Sequence, residues 1–253
     1  MKTTIKLAVI KLVLINISLF SIVFINACKK ETTNNPSIQI DSISDIDGNV
    51  YKTVKIGKQW WMAENLKVKR YRNGDTLIFV DTQFDPGKVK WDTINTGSYT
   101  NTNAIFGLFY NWYAIIDNRN IAPAGWHVPS DDEWKELEMF LGMSKEDADK
   151  VNFRGNKEGD KLKSINDQGW NKPSDIYKVW GTNESGFCAK GGGAVMNNKI
   201  WGNPSSYLTG FWWTSTVKVD SLAWYRYLDY NKANVFRFYG SKNYGFSVRC
   251  VKD

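Results

Sequence analysis

Histidine and cysteine are scarce: the 253 residues include one histidine and three cysteines. The single histidine, His127, excludes a metal site built on several histidines and leaves no second histidine to act as a base. His127 stands just before a predicted helix start, which favours a structural hydrogen-bonding role over catalysis. We therefore predict that the chain is not an enzyme and has no catalytic residue, bound metal or cofactor.

The sequence also lacks an apolar run long enough to cross a bilayer, which needs about 20 residues. Its N-terminal run covers only Leu12 to Ile25 and follows three lysines, a pattern typical of a secretory signal. The run ends in Ile25-Asn26-Ala27-Cys28, which resembles the bacterial lipobox, where a small residue precedes the cysteine that is lipidated after cleavage. We predict that residues 1–27 are a lipoprotein signal peptide. Cys28 would then carry the lipid that tethers the mature protein to a membrane.

No dense basic run is present either. The 33 basic and 26 acidic residues give a net charge of +7. Removal of residues 1–27, which carry three lysines and no acid, lowers this charge to +4. Such a modest excess, spread along the chain, favours a solvated surface of mixed charge over an anion-binding patch. We therefore predict no nucleic-acid partner.

The two remaining cysteines, Cys188 and Cys250, leave two interpretations open. In an exported protein they can pair, and a disulfide over that span would stabilise the fold by roughly 2–4 kcal/mol. They can equally be buried free thiols, because cysteine is among the most buried residue types. The sequence favours the Cys188–Cys250 disulfide only slightly.

The clearest local signal in the chain is a helix start within Gly125–Trp134. Ser130 is a preferred N-cap and Glu133 completes a capping box. Asp131 and Asp132 place negative charge at the positive end of the helix dipole, so capping explains them without a catalytic role. Apolar residues then recur at helical spacing up to a glycine that can end the helix: Trp134, Leu137, Phe140, Leu141 and Gly142.

Before this helix the pattern changes several times. Residues 28–44 are polar and without a sustained period, which predicts a flexible tether. Asp45–Asn49 predicts a turn, since the neighbouring positions lack the acids of a calcium loop. Tyr51–Val68 predicts two strands joined by a tight turn. Ile105–Ile116 is almost continuously apolar and predicts a buried element, with helix favoured over strand.

After the helix, Asn152–Glu184 predicts long loops that carry isolated tryptophans, and from Phe187 onward short aromatic runs predict an antiparallel meander. The last run alternates apolar and polar residues, which predicts a half-buried strand with Cys250 on the inner face and Arg249 on the outer face.

Several segments together resemble the Fibrobacter succinogenes major paralogous domain, in the family's order and from about residue 45 to the end. They are Thr53–Leu66, Gly107–Trp112, Gly125–Trp134, Gly186–Ala189, Phe211–Thr216 and Gly245–Cys250. The resemblance implies one domain over residues 45–253. It also implies an exported lipoprotein of the kind found in Bacteroidota and Fibrobacterota, in which the anchoring cysteine is multiply acylated.

At greater distance, Pro129–Trp134 and the terminal Gly245–Arg249 resemble the formylglycine-generating, sulfatase-modifying family. That resemblance implies an α+β, C-type lectin-like fold: a twisted antiparallel sheet with a few short helices and long loops. A fold does not carry its function with it. An enzyme of this kind is disfavoured, because Cys188 and Cys250 lie in apolar, strand-like contexts and not in the open, electropositive setting of a reactive thiol.

These observations predict a non-enzymatic binding or adhesion module held at the outer membrane, on its periplasmic face or at the cell surface. Lys29 favours the outer membrane, because it is not the aspartate associated with inner-membrane retention in enteric bacteria. Carbohydrate is a candidate ligand, since aromatic rings stack on the apolar faces of sugars. Candidate contact residues are Trp170, Trp180 and Trp201.

The nature of the partner has alternatives. Calcium-dependent sugar binding is disfavoured, because neither the Trp-Asn-Asp nor the Glu-Pro-Asn triplet of calcium-dependent lectins is present. The tryptophans can equally pin their loops to the core. A structural or assembly role with a cell-surface protein as partner stays open beside the carbohydrate hypothesis.

Overall fold

A computed structural model describes residues 38–81, 90–101, 104–165, 169–170, 181–201 and 208–253. The predicted lipidation site Cys28 and the candidate contact Trp180 lie outside these residues. The strands are β1 Ile40–Ser44, β2 Val50–Ile56, β3 Gln59–Met62, β4 Ile78–Phe79, β5 Ser98–Asn101, β6 Leu108–Tyr110, β7 Trp126–His127, β8 Asn152–Arg154, β9 Ala194–Met196, β10 Lys199–Trp201, β11 Thr209–Val219, β12 Leu222–Asp229, β13 Val235–Ser241 and β14 Val251–Lys252. The helices are α1 Trp112–Ile116, α2 Asp131–Phe140, α3 Lys145–Asp149 and α4 Glu158–Leu162, with 3-10 turns at Trp91–Thr93 and Ala104–Phe106.

The strands form antiparallel sheets with a few short helices beside them, as the sequence predicts. A five-stranded sheet has the order β1-β2-β3-β14-β7, and a four-stranded sheet has the order β11-β12-β13-β8. Strands β9 and β10 form a hairpin, and β4-β5-β6 form a small sheet whose β4–β5 pair is parallel. In the described part of the chain no helix is both long enough and apolar enough to cross a bilayer.

Helix α2 begins where the sequence predicts. The Ser130 hydroxyl accepts a hydrogen bond from the Glu133 amide, and the Glu133 carboxylate accepts one from the Ser130 amide, so the capping box is complete. Gly142 follows with φ at +117°, the left-handed conformation expected of a helix stop. Local capping chemistry alone thus places this helix.

Two other local predictions are wrong. Residues 105–116 are not one helix: a 3-10 turn, β6 and α1 succeed one another there. The stretch is broken at Gly107, where a Cβ would lie 2.8 Å from Asn65, and at Asn111, whose side chain caps α1. The tether is also shorter than predicted, because residues 40–44 pair with β2 as an edge strand.

The predicted last strand is a regular strand only at Val251–Lys252 (β14), and residues 245–251 are all buried, contrary to the half-buried prediction. Cys250 packs in a core cluster with Tyr51, Met62 and Val248. On the opposite face Arg249 is also buried and donates hydrogen bonds to the carbonyl oxygens of Phe187 and Cys188. The side that the sequence predicts to face solvent is therefore buried as well.

The Cys188–Cys250 disulfide is not formed, since Cys250 is a buried free thiol. The cause is that Arg249 and Cys250 point to opposite sides of their segment: Cys250 packs in the cluster with Tyr51 and Met62, and Arg249 contacts Phe187 and Cys188. Because Arg249 reaches the Cys188 carbonyl oxygen, with an Nη2–O distance of 2.9 Å, Cys188 lies on the face that Cys250 does not point to. Burial raises the pKa of the Cys250 thiol well above its ordinary value, so the thiol stays protonated at neutral pH.

Candidate binding face

The four-stranded sheet has two chemically different faces. Along β12 and β13 the residues alternate between fully buried and partly exposed. The buried residues include Arg226 and Arg237, which lie opposite each other, and Arg154 follows on β8. The partly exposed residues are aromatic, so one side of the sheet carries guanidinium groups and the other carries rings.

We call this second side the aromatic face. Strand pairing sets the rings of Phe211, Tyr227, Phe236 and Phe153 directly opposite one another, one from each of the four strands. Successive ring centroids along this row are 4.7, 5.5 and 5.0 Å apart. A second row of three residues lies beside it and completes the face: Trp213, Tyr225 and Phe238.

The rings of the first row are only half-buried, although aromatic side chains favour the core. With strands about 4.8 Å apart, four rings in a row cover about 14 Å. Trp213, in the second row, is fully buried and stacks near Phe246, which anchors this part of the face to the core. The result is a continuous apolar strip held on a rigid sheet and open to solvent along part of its length.

Hydrogen-bonding groups border one end of the strip. The Tyr227 hydroxyl donates to the Asp229 carboxylate, which also accepts from the Asn231 amide at 3.0 Å. The Asn231 side-chain oxygen is buried and has no hydrogen-bond partner within the described residues, so it is not part of the exposed border. The Lys232 amine lies 5.9 Å from the centre of the Phe153 ring. Burial and the Asp229 carboxylate raise the pKa of Tyr227, so its hydroxyl remains protonated at neutral pH.

A buried ion cluster holds the other side of the sheet against α2. Asp131 accepts hydrogen bonds from Arg226 and Arg237 at 2.7 Å each. Burial alone would raise the pKa of Asp131, but these two guanidinium groups hold it well below its ordinary value. The Asp131 carboxylate, which the sequence assigns to capping, therefore also joins α2 to strands β12 and β13.

Glu138 lies about two turns further along the same side of α2 and extends the same cluster. It accepts from Arg226 Nε at 2.7 Å and forms an ion pair with Arg154 on β8. Burial lowers the pKa of Arg154 to about 10, and at neutral pH it still carries its charge. Three of the four strands below the aromatic face are thus fixed to one helix, which holds the rings in a preorganised array.

His127 makes hydrogen bonds through both ring nitrogens, the kind of contact that the predicted structural role requires. Its Nε2 lies 2.7 Å from Glu133 and its Nδ1 lies 2.6 Å from Asp253, so it joins the helix start to the C-terminus. Burial lowers the pKa of His127, but the hydrogen bonds and charges of Asp253 and Glu133 outweigh it and raise the pKa above 6.5.

We expect a pH-dependent contribution of His127 to stability. Because its pKa is raised on folding, the stabilisation is fully present below pH 6.5 and disappears as the pH rises through the raised pKa. The His127→Gln variant should therefore lose more stability at pH 5.5 than at pH 8.5, by less than about 1 kcal/mol for this partly exposed site. Urea unfolding at the two pH values measures the difference, and an equal loss at both would contradict the expectation.

The structure describes two of the three predicted tryptophans, Trp170 and Trp201. Trp170 is only 4% exposed and donates to the Ala189 carbonyl oxygen, so it pins its loop to the core and cannot serve as a stacking surface. Trp201 is 54% exposed on β10. Within the described residues no group of histidine, cysteine and acidic side chains is arranged to hold a metal ion.

The aromatic face was missed, although the sequence contains a signal for it. Tyr225-Arg226-Tyr227, Phe236-Arg237-Phe238 and Phe153-Arg154 alternate rings with arginines. In a strand such a pattern separates two faces, and an arginine on a buried face needs charged or hydrogen-bonding partners there. The arginines between the rings therefore indicate that the rings form a separate face.

Comparison with known proteins adds a family. The model of the family described as the Fibrobacter succinogenes major domain matches residues 54–252. This range covers most of the five-stranded sheet and all four strands of the aromatic face. No match was found to a curated protein or to a solved structure.

Proposed function

The chain belongs to the Fibrobacter succinogenes major domain family, and we propose that it is a non-enzymatic binding module whose ligand lies on the aromatic face. The observation that carries this proposal is the row of four half-buried rings with hydrogen-bonding groups at one end. The family description names no activity, so the proposal rests on this geometry.

Carbohydrate is the ligand class that fits the face best. Sugar rings have apolar C–H faces that stack on aromatic rings, and hydroxyl groups that need hydrogen-bond partners at the edge. The strip supplies the first, and Asp229 and Lys232 supply the second. At about 14 Å, from the strand spacing, the strip matches a few linked sugars better than a single one.

Truncation of one ring tests this proposal. We expect Phe236→Ala and Phe153→Ala to weaken binding at least tenfold, about 1.4 kcal/mol, because each ring is a partly exposed apolar anchor of the strip. The full chain and its variants are applied to a glycan array, and melting temperatures show that the variants are folded. Phe140→Ala is the matched control, since Phe140 is an exposed ring on α2, away from the face.

The outcomes separate the ligand classes. Binding that survives both truncations would contradict the role of the aromatic face. An array without any binder, for a folded protein, would contradict carbohydrate as the ligand. In that case a protein partner, the alternative that the sequence leaves open, would be sought on the same face by crosslinking on intact cells. We expect chelation of calcium to leave glycan binding unchanged, because the proposed contacts are rings and hydrogen bonds.

We further propose that the domain has a C-type lectin-like arrangement and works as an outer-membrane lipoprotein. The antiparallel sheets with short helices are consistent with the first, and the lipobox supports the second. A binding module gains from a tether, because a lipid anchor keeps its face near ligands at the membrane or cell surface. Trp201 on β10 is exposed and stays a predicted contact residue.

A Cys28→Ala variant tests the anchor. Without the thiol no lipid can be attached, and multiple acyl chains are what make membrane binding firm. We expect the variant to leave the membrane fraction and appear in the soluble fraction, as judged by cell fractionation with immunoblotting. A Cys250→Ala variant is the control and should remain with the membranes. Retention of the Cys28→Ala protein in the membrane fraction would contradict the predicted anchor.

A non-enzymatic role is part of the proposal. The thiol chemistry of formylglycine generation needs a reactive cysteine, and Cys250 is fully buried with a raised pKa. His127 is engaged on both ring nitrogens by carboxylates. These groups are accounted for by packing and hydrogen bonding.

A further inference from the structure

A cleft of about 290 Å³ lies away from the aromatic strip, between the turn that follows β1 and the loop that precedes β7. Residues 44–46 form one wall and residues 121–124 form the other. Arg72 and Val68 complete its lining. We call this the Arg72 cleft.

Arg72 has an unusual set of partners for a surface arginine. Its Nε donates to the Ala122 carbonyl oxygen at 3.1 Å, and its Nη2 donates to those of Pro123 and Trp126 at 2.8 Å each. All three partners are neutral. Nearby Arg70 and Arg119, by contrast, each form an ion pair with an aspartate. The Arg72 charge thus has no carboxylate partner within the described residues.

One edge of the Arg72 guanidinium group is also unused. Within the same described residues, Nη1 donates to no protein oxygen. The exposed Ser44 hydroxyl, on the opposite wall, likewise has no side-chain hydrogen bond there. Two donors and one uncompensated positive charge are what a carboxylate binds in proteins, and arginine is the residue best shaped for it.

Most of the remaining lining is apolar. Ile46, Val68, Ile121 and Pro123 offer hydrocarbon surface. Asp45, the acidic residue of the lining, accepts four hydrogen bonds, from the Asp47 amide, the Asn49 amide and side chain, and the Tyr51 hydroxyl. Its lone pairs are filled, so it fixes the turn in place and leaves the ligand to Arg72.

We propose that the Arg72 cleft binds a small carboxylic acid with an apolar body. The carboxylate accepts hydrogen bonds from Arg72 Nη1 and the Ser44 hydroxyl, and the body packs against Ile46, Ile121 and Pro123. The volume, at the lower end for ligand pockets, selects a molecule with about one ring or a short branched chain. This site is independent of carbohydrate binding at the aromatic face.

The test uses 3-phenylpropionate and its neutral analogue 3-phenylpropionamide, titrated into the full chain and followed by amide chemical shifts. We expect the acid to bind with a Kd of about 1 mM or tighter and to shift the amides of Ile46, Ala122 and Ala124. The amide should bind at least tenfold more weakly, because it cannot pair with the Arg72 charge. Equal affinity of acid and amide, or no shift at ~10 mM acid, would overturn the proposal.

Three variants locate the site. Ala124→Trp places a large side chain on an exposed lining residue and should abolish binding with the melting temperature unchanged. Arg72→Gln should weaken acid binding at least tenfold, about 1.4 kcal/mol, and Arg70→Gln, whose side chain pairs with Asp47 outside the lining, should not. If loss of the carbonyl contacts unfolds Arg72→Gln, Ala124→Trp and the acid–amide comparison still decide. Unchanged binding by the folded Ala124→Trp variant would refute the site.

Discussion

Replacement of Asp131 by asparagine should lower the free energy of unfolding by about 3–5 kcal/mol, the usual result of removing one partner from a buried ion cluster. The Asp131 carboxylate receives Arg226 and Arg237, both almost fully buried. Asparagine has nearly the same shape but no charge, so three buried arginines would face the single carboxylate of Glu138. Urea unfolding at pH 7 measures the loss as a lower denaturation midpoint.

The neighbouring Asp132 provides the matched control. It lies in the same first turn of α2, but its side chain is 90% exposed and its ion pair within the described residues is with Lys135. We expect Asp132→Asn to change stability by less than about 0.5 kcal/mol. Equal, small losses for the two variants would show that Asp131 acts only on the helix dipole, as the sequence alone indicates.

The stabilisation of the fold by Asp131 also depends on pH, and the direction of this dependence follows from its lowered pKa. Because folding holds the pKa of Asp131 below its ordinary value of 3.8, its stabilisation is present above that pH and is lost as the pH falls further. The stability gap between the wild-type protein and Asp131→Asn should therefore narrow in acid, below about pH 4.

Replacement of Arg249 by methionine should destabilise the fold by roughly 3 kcal/mol or more, from about 1–3 kcal/mol for each buried oxygen left without a donor. Arg249 donates to the carbonyl oxygens of Phe187 and Cys188, which would lose this donor, and to the Asn65 side-chain oxygen at 2.8 Å, which keeps the Trp212 indole as a donor. Burial lowers the pKa of Arg249 to about 9, so it remains charged at neutral pH, and removal of this charge from the interior offsets part of the loss.

Lys252→Met, in the adjoining strand β14, is the control, because Lys252 is exposed. Thermal unfolding of the two variants measures the comparison, and a large drop in melting temperature is expected only for Arg249→Met. An Arg249→Met protein as stable as the wild type would mean that relief of the buried charge outweighs the orphaned oxygens.

The sequence predicts correctly those features, such as a helix start and a turn, that are determined by residues close together in the chain. The capping box of Ser130 and Glu133 lies within four residues, and the helix begins there. The turn at Asp45–Asn49 is likewise closed by short-range hydrogen bonds. In both cases the interacting groups are neighbours in the chain, so their residue types determine the structure.

Long-range partners decided the rest. Asp131 meets arginines 95 and 106 positions away, which no local pattern reveals. For the same reason Arg249, on an apparently outward position, is buried by segments around Asn65 and Phe187. The Cys188–Cys250 disulfide prediction is wrong for a similar reason. Arg249 and Cys250 point to opposite sides, and Arg249 contacts Cys188, so the two cysteines lie on different sides.

The aromatic face shows how these two levels combine. The sequence predicts the strands of the meander, but it does not show how those strands pair. Pairing in register then places rings from four strands in one row and arginines on the reverse side. The binding proposal depends on this arrangement, which only the full topology produces.

Mapping of a bound sugar onto the domain tests the binding proposal most directly. A soluble oligosaccharide that binds on the glycan array is titrated into the isotope-labelled full chain, and the side-chain resonances of the rings are followed. We expect the resonances of Phe153, Phe211, Tyr227 and Phe236 to shift and the resonances of Phe140 to stay unchanged. Shifts confined to residues outside the aromatic face would contradict it.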